Sequence, residues 1–387
     1  MKRIIVCCDG TWNRPGNKDR GQPIETNVEK MYKTVATKDT NVKQTKFYGP
    51  GVGTGFALTD QVLGGSIGIG IDRNIQDAYK FLMWSYEPGD EIYMFGFSRG
   101  AYTVRSLGGL IRNCGIMKPN YLHLIAEAYQ LYRDRTDLTH PDCDAMIAFK
   151  KSYAIEPETA IKFMGVWDTV GALGIPISWF NWWNRKYQFH DVKLSSHIRY
   201  AYHALAMDER RRVFSPALWD INKKALYGPQ PQVCEQVWFP GVHANVGGGY
   251  LDCGLSNIAL KWMIERAQDT GLEFDAERVQ KIACDSKGEL RTSLNLFYRM
   301  TGTVVRRINE INIRKKMEEG ITRNEKVHLS CLERFHMLEK YRPKNLLTAI
   351  EKGVIFDPTQ EKWEPQWNEY LASCKPPSTR TSKKKVA

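Results

Sequence analysis

A serine, an aspartate and a histidine occur in this sequence in an order and in surroundings that suit nucleophilic hydrolysis of an ester. Ser98 is the centre of a Gly-x-Ser-x-Gly motif, Gly96-Phe-Ser-Arg-Gly100, and Asp168 and His243 follow it along the chain. In such a triad the histidine removes the hydroxyl proton, the aspartate fixes the imidazole tautomer, and the serine attacks the carbonyl carbon. These residues therefore predict catalysis through an acyl-enzyme, a mechanism that needs no cofactor.

The serine motif needs a strand before it and a helix after it, and the sequence supplies both. Residues 92–95 are an apolar run of strand-forming types, and apolar residues recur at helical spacing from Ala101 onward. The amino end of such a helix can stabilise an oxyanion. We therefore predict that the oxyanion hole is formed by amides of Arg99 and of the loop at Gly10 and Thr11.

The acid and the base are each predicted to follow a strand. Residues 160–167 have a strand pattern that ends at Asp168, and residues 233–239 have one that ends shortly before His243 in a glycine-rich loop. A loop histidine at this position can turn its ring toward the serine. Three residues remain as alternatives: Asp208 as the acid, and His203 and His328 as bases, although we expect the two histidines to be packed and structural.

The alternation of strand and helix patterns predicts an α/β fold of the α/β-hydrolase type, with a mainly parallel central sheet flanked by helices. Further strands are predicted at 3–8 and 44–48, and helices at 27–36 with Asn27 as its cap, 72–86, 122–132, 144–153, 197–207 and 256–271 with Ser256 as its cap.

The same patterns predict how the chain divides. We expect a catalytic domain over residues 1–271, with helical cap insertions around 117–153 and 172–230. Residues 272–370 are predicted to be a mostly helical region packed on it, and residues 371–387 a disordered basic tail.

The residues predicted to meet the substrate are Asp9, at the end of the first strand, and three aromatic side chains, Trp179, Phe180 and Trp182. The aromatic side chains lie within residues 175–184 and are followed by Arg185 and Lys186, a combination that suits a lid touching a lipid interface. An aromatic cap that packs over the pocket without meeting a membrane explains them equally well.

Charge and cysteine content limit the partners and the compartment. The 55 Lys and Arg against 43 Asp and Glu give a net charge of +12, which fits an anionic partner such as a phospholipid surface and also fits simple solubility. Nucleic acid is not expected, because no motif for it occurs.

The 9 cysteines are scattered, which favours free thiols in a reducing compartment. With neither a signal peptide nor a membrane span predicted, we expect a cytoplasmic protein, and export without a cleaved leader stays open.

Five motifs resemble those of one α/β-hydrolase domain family, which includes phospholipase effectors of bacterial type VI secretion. They are Asp9–Asn13, Gly96–Ala101, Val166–Gly171, His203–Leu205 with Asp208–Arg210, and Trp238–His243 with Gly247–Tyr250. The resemblance covers residues 1–260, with a further short similarity at Val327–Phe335. It implies a serine esterase acting on lipids, such as a phospholipase A, with no obligatory metal. Family members often carry His-Ser-Asp-Val where this chain has His243-Ala-Asn-Val246.

Two other functions stay open at this point. Asp9 and Asp168, both at strand ends, could hold a divalent cation for phosphoester hydrolysis. Alternatively, a hydrolase fold without activity could bind membranes. The sequence predicts no oligomeric state and does not identify the ester.

Overall fold

A parallel sheet with helices on both faces forms the architecture in a computed structural model, which describes residues 1–53, 64–134, 136–170, 194–227, 231–294, 302–309 and 321–351. This arrangement confirms the predicted α/β fold. The sheet strands, in chain order, are β1 (Arg3–Cys8), β2 (Gln44–Gly49), β3 (Glu91–Phe97), β4 (Ile161–Trp167), β5 (Ile198–Ala206), β6 (Val233–Phe239) and β7 (Glu325–Val327).

All neighbouring strands of the sheet run parallel, in the order β7-β6-β5-β4-β3-β1-β2. The register aligns the strand ends: Cys8 lies opposite Gly96, Phe97 opposite Trp167, and Ala206 opposite Phe239. The residues that follow these strands are therefore gathered at one edge of the sheet, where open α/β folds bind their ligands.

The described helices are α1 (Asn27–Thr34), α2 (Gly64–Ser85), α3 (Arg99–Cys114), α4 (Ile125–Asp134), α5 (Asp144–Tyr153), α6 (Lys223–Tyr227), α7 (His243–Gly247), α8 (Gly254–Gln268), α9 (Ala276–Gln280), α10 (Leu329–Met337) and α11 (Lys344–Glu351). Two short antiparallel ribbons, Lys18–Asp19 with Gln22–Pro23 and Ile221–Asn222 with Ile321–Thr322, lie outside the sheet. Among the described residues, no helix combines the length and the apolar character needed to cross a bilayer.

The core has a layer on each face of the sheet, and β1 shows why. Ile4 and Val6 pack with α2 and α3 on one face, whereas Ile5 and Cys7 pack with α1 and α8 on the other. All four side chains are fully buried, which explains why the strand is a continuous apolar run and does not alternate with polar residues.

The predicted helix over residues 197–207 is wrong, since these residues form β5. This strand lies inside the sheet and is buried on both faces, so it lacks the polar alternation by which a strand is recognised. Two predicted caps are also wrong. The hydroxyl of Thr26, rather than Asn27, caps α1 by accepting from the Glu29 amide, and α8 begins at Gly254, ahead of Ser256.

A third core cluster joins the sheet to residues beyond 271. Leu205 and Trp238, on β5 and β6, pack with residues of β7, α10 and α11, namely Val327, Leu329, Cys331, Leu332, Phe335, Leu346, Ala349 and Ile350. The division of the chain at residue 271 stays a prediction, but a strand and a shared core lie across that boundary. Residues 371–387 lie outside the described residues.

Candidate active site

Ser98 lies on a sharp turn between β3 and α3. Its φ and ψ angles are 55° and −120°, a left-handed conformation that costs a serine free energy and persists only where the surrounding structure enforces it. The two flanking glycines allow this close approach. A Cβ on Gly96 would lie 2.5 Å from the carbonyl oxygen of Gly100, and a Cβ on Gly100 would lie 2.1 Å from that of Cys8.

The structure brings Ser98, His243 and Asp168 into one hydrogen-bonded line. Ser98 Oγ lies 2.8 Å from His243 Nε2, and His243 Nδ1 lies 2.6 Å from Asp168 Oδ2. With the imidazole proton on Nδ1, the ring donates to the carboxylate and its Nε2 can accept the hydroxyl proton of the serine. All three side chains are buried.

Asp168 is held in place by more than the imidazole. Its Oδ1 accepts from the amide of Ala206 at 3.0 Å, and Arg306 binds both carboxylate oxygens, through Nη1 at 2.6 Å and Nη2 at 3.0 Å. Burial alone would raise the pKa of Asp168, but the charge of Arg306 and the hydrogen bond from His243 hold that pKa well below its usual value. The carboxylate is therefore ionised at any physiological pH.

His243 is the first residue of the short helix α7, so the prediction that it lies in a loop is wrong. Its ring contacts Phe97, with centroids 4.6 Å apart, and meets Phe214 edge-on at 4.9 Å. Its amide donates to Glu209 Oε2 at 3.2 Å, which fixes the start of the helix. Burial lowers the pKa of the imidazole, although the Asp168 carboxylate opposes this, so the ring of His243 is neutral near neutral pH.

The predicted oxyanion donors lie beside Ser98, but they are not equivalent. A Cβ built on Gly10 would come within 3.2 Å of the Ser98 Cβ, which places this loop against the serine. The Gly10 amide, however, donates to Asp9 Oδ1 at 2.7 Å, so the prediction for Gly10 is wrong. Thr11 keeps a buried hydroxyl that has no hydrogen-bond partner among the described residues, and Arg99 begins α3, so both remain candidates.

Asp9 is buried, and its carboxylate has hydrogen-bond partners within the protein. Besides the Gly10 amide, its carboxylate accepts from the hydroxyls of Thr26 at 2.5 Å and Tyr48 at 2.7 Å. Burial raises the pKa of Asp9 to about 6, against these hydrogen bonds. The carboxylate holds the loop that adjoins Ser98, and its assignment to substrate binding stays a prediction.

The three alternative residues have structural partners. Asp208 accepts from the Gly241 amide at 2.7 Å and from the Tyr341 hydroxyl at 2.8 Å. His203 Nε2 accepts from the Thr169 amide at 3.1 Å, and His328 caps α10 by accepting from the Ser330 amide. The packing expected for both histidines is confirmed, and Asp168 rather than Asp208 contacts His243.

Beside Arg99, the residue that follows Ser98, lies an exposed aromatic residue that the sequence did not single out for substrate contact. Trp12 has a positive φ of 61°, is 50% exposed, and lies with its ring centroid 5.6 Å from the Arg99 guanidinium. The predicted aromatic residues Trp179, Phe180 and Trp182 lie outside the described residues, so their role stays a prediction.

Comparison with known proteins gives the family. Residues 2–266 match the model of the T6SS phospholipase effector Tle1-like catalytic domain. The chain belongs to this family.

An uncharacterized protein of Saccharomyces cerevisiae, YEL023C, is 32% identical over 250 residues, which are 60% of this chain and 33% of that protein. A crystal structure of an uncharacterized protein from Pseudomonas aeruginosa is similar with a TM-score of 0.45 and 16% identity, covering 74% of this chain and 49% of the other. The chain thus spans about a third of the yeast relative and about half of the bacterial one.

The Tle1-like match agrees with the resemblance seen in the five motifs, and the structure explains the departure at position 245. Asn245 is buried, its Oδ1 accepts from the Val242 amide, and its Nδ2 donates to the Glu289 carbonyl oxygen at 3.0 Å. A carboxylate could not supply that second bond, because an ionised aspartate only accepts.

Two residues that contact the predicted triad were missed from the sequence. Glu209, whose pKa is lowered to about 2 against burial by its bonds with Arg211, supports the amide of His243. Glu209 belongs to the motif Asp208–Arg210, but no spacing rule connects this motif to His243. Arg306 lies beyond the family match in a stretch without a motif, so no local pattern could have found it.

Proposed function

We propose that the protein is a serine hydrolase that cleaves carboxylic esters of phospholipids through an acyl-enzyme. The observation that carries this proposal is the line of hydrogen bonds from Ser98 through His243 to Asp168, with distances of 2.8 and 2.6 Å. The membership in a phospholipase effector catalytic family supports hydrolysis of lipids as the general activity.

In the proposed reaction, His243 Nε2 takes the proton of Ser98 Oγ as this oxygen attacks the ester carbonyl. The imidazolium that forms is stabilised by the ionised Asp168, and the oxyanion is stabilised by donors from Arg99 and Thr11. His243 then protonates the leaving alcohol, which breaks the ester bond and leaves Ser98 acylated. Water attacks this acyl group with the same histidine as general base, which releases the fatty acid and restores the serine.

The choice of phospholipid as substrate rests on the family and on charge. A net charge of +12 favours an anionic lipid surface, and the predicted aromatic segment adds a means of contact with it. We propose a peripheral contact with the membrane surface in which the lipid enters the site from the side of Trp12.

Hydrolysis of a phosphoester by a metal bound to Asp9 and Asp168 has less support from the donor groups. Both oxygens of Asp168 are bound by Arg306, and the carboxylate of Asp9 is surrounded by its hydrogen-bond donors. Among the described residues, no group of three or more His, Cys, Asp or Glu side chains is arranged to hold a metal ion.

The proposal is tested by labelling with a fluorophosphonate, followed by measurement of intact mass. We expect one adduct on the natural protein, none on Ser98→Ala, and one on the control Ser152→Ala, whose exposed hydroxyl bonds only to its own helix. Absence of an adduct on the folded natural protein would contradict the proposed catalytic triad.

A second measurement addresses the substrate. With vesicles of phosphatidylcholine and phosphatidylglycerol, we expect release of fatty acid and lysophospholipid by the natural protein and at least about a thousandfold less by Ser98→Ala. Vesicles that are bound but left intact by a protein that takes up the fluorophosphonate would point to another ester, and binding without any labelling would favour the inactive membrane-binding alternative.

A further inference from the structure

We propose that Arg306, which lies outside the residues matched by the family model, is a positioning residue of the triad that fixes the carboxylate of Asp168 against His243 and offsets its negative charge. This inference rests on the proposed function for its effect on turnover. Its effect on the titration of His243 does not depend on that function, and the two can therefore be tested separately.

The contact between Arg306 and Asp168 is a two-point ion pair inside the protein. Nη1 donates to Oδ1 at 2.6 Å and Nη2 donates to Oδ2 at 3.0 Å, and both side chains are buried. The planar guanidinium fork matches a carboxylate in this way and fixes its rotation as well as its position. Oδ2 is also the atom that faces His243 Nδ1, so the rotation of the carboxylate decides the geometry of that bond.

The same guanidinium holds two neighbouring parts of the site. Nη1 also donates to the carbonyl oxygen of Ala206 at 2.7 Å, at the end of β5, and Nη2 donates to that of Phe214. The Phe214 ring meets the imidazole of His243 edge-on. The Arg306 side chain therefore contacts Asp168, the end of β5 and the backbone of Phe214, whose ring packs against His243.

Contacts of the residues before and after Arg306 fix its position beside Asp168. Thr303 forms an antiparallel bridge with Arg211, and the amide of Val304 donates to the carbonyl oxygen of Arg210 at 2.9 Å. Two residues after the arginine, Ile308 is buried in the third core cluster. The segment is thus fixed to the loop that follows β5, which is an arrangement that an incidental surface arginine would not have.

The charges around the acid and the base explain what the arginine does. His243 faces Asp168 and Glu209, which raise its pKa, and Arg211, which lowers it. Asp168 faces Arg306 and His243, and the buried His203 lies near both Asp168 and Arg306. With Arg306 present, the carboxylate is already paired and attracts the imidazolium less strongly. Without it, a buried carboxylate would face His243 with its charge uncompensated, so the pair would take up a proton at higher pH.

The test compares the natural protein with Arg306→Met, Arg306→Lys and the matched control Arg307→Met, which removes the same charge from an exposed neighbour. The imidazole of His243 is titrated by NMR in protein with nitrogen-15 histidine, and its resonances are assigned with His243→Gln. We expect the titration midpoint to rise by about one pH unit in Arg306→Met, by less in Arg306→Lys, and to stay unchanged in Arg307→Met. A midpoint that does not move in a folded Arg306→Met would overturn the inference.

Turnover provides the second readout. The acid limb of kcat/KM should move to higher pH by the same interval in Arg306→Met, whereas a purely structural loss would lower kcat/KM equally at every pH. If no protein is labelled by a fluorophosphonate but the midpoint of His243 still moves, the proposed function fails and the role of Arg306 stands.

Arg306→Met leaves a buried charge unpaired and can fail to fold, so a double-mutant cycle with Asp168→Asn completes the design. We expect the urea midpoint of the double variant to exceed that of Arg306→Met, because neither charge is then left without its partner. A double variant whose loss equals the sum of the two single losses would show that the pair is not coupled, and would overturn the inference.

Discussion

Two buried histidines of the site region, His243 and His203, have different surroundings. His243 lies between Ser98 and Asp168, where Nε2 faces a hydroxyl that can give up its proton and Nδ1 faces an ionised carboxylate. His203 lies on β5, between the Thr169 amide and the side chain of Gln236, and stacks edge-on against Trp219. The first is placed to move a proton, and the second is placed to stay neutral.

His203 should make stability depend on pH. Burial lowers its pKa to about 3 in the folded protein, compared with 6.5 for an ordinary histidine. As the pH falls below 6.5, His203 binds a proton in the unfolded chain but not in the folded protein. This contribution to stability is therefore complete above 6.5 and is lost as the pH falls toward 3.

We expect the natural protein to lose stability between about pH 6.5 and pH 4.5 through this histidine, by about 2 kcal/mol. In His203→Gln, which keeps an acceptor for the Thr169 amide, the free energy of unfolding in urea should depend less on pH over that interval. His140→Gln, at an exposed position, is the control and should leave the pH dependence as it is. Equal slopes for the natural protein and His203→Gln would show that this histidine is not the cause.

At this scale the sequence predicted the residues that carry a motif and missed those that act over a distance along the chain. Ser98, Asp168 and His243 each follow a strand, and parallel strands end at one edge, so their meeting could be predicted. Arg306 reaches Asp168 across a separation of 138 residues, from a segment of ordinary composition. The contacts of Asp9 could not be predicted either, because the position of a strand end does not tell which way a carboxylate points.

At the scale of elements, the strand, turn and helix around Ser98 form the unit on which the site depends. The turn requires Gly100, because α3 approaches the end of β1 so closely that a Cβ would lie 2.1 Å from the Cys8 oxygen and 2.5 Å from the Asp9 oxygen. These are backbone atoms at the end of an interior strand, and they cannot move aside as the end of a flexible side chain can.

Gly100→Ala should therefore destabilise the protein by about 3 kcal/mol or more, and should slow fluorophosphonate labelling by moving Ser98. The control lies in the same helix. A Cβ on Gly108 would meet the flexible end of Met164 at 3.1 Å, and alanine favours a helix, so Gly108→Ala should stay within about 1 kcal/mol of the natural protein. Urea unfolding of both variants measures the difference, and equal losses would contradict this account of the turn.

The error at β5 shows what local patterns cannot decide. Seven of its nine residues are apolar or aromatic, and Arg199 and His203 interrupt them without a regular alternation. A short run of this kind fits a buried strand and a buried helix equally well. Only its position between β4 and β6, where both faces are covered, makes it a strand. The strands β1, β3 and β6 are easier to predict from the sequence, because each ends at a glycine-rich or polar turn.

At the scale of the whole molecule, the matched catalytic region does not contain the whole of its own core. The family model ends at residue 266, yet Arg306 completes the surroundings of Asp168, and β7 pairs with β6 as the edge strand of the sheet. Trp238 is fully buried against this later part of the chain and donates through Nε1 to Glu325 at 2.9 Å. The structure therefore argues that the later residues belong to the folding unit of the site.

A chain ending at residue 294, which keeps every residue of the family match, should fail to unfold cooperatively and should not react with a fluorophosphonate. The cut would expose Leu205, Met207 and Trp238, each of which gains about 1.5–3 kcal/mol from burial. It would also remove β7 and Arg306, and these losses together are of the same order as the total stability of a domain. The control is a chain ending at residue 351, which keeps the third core cluster and should unfold cooperatively in urea. If the shorter chain folded and reacted as the longer one does, the later residues would be an addition to the catalytic unit. The expected failure would instead show that the site needs a part of the chain that lies beyond the family match.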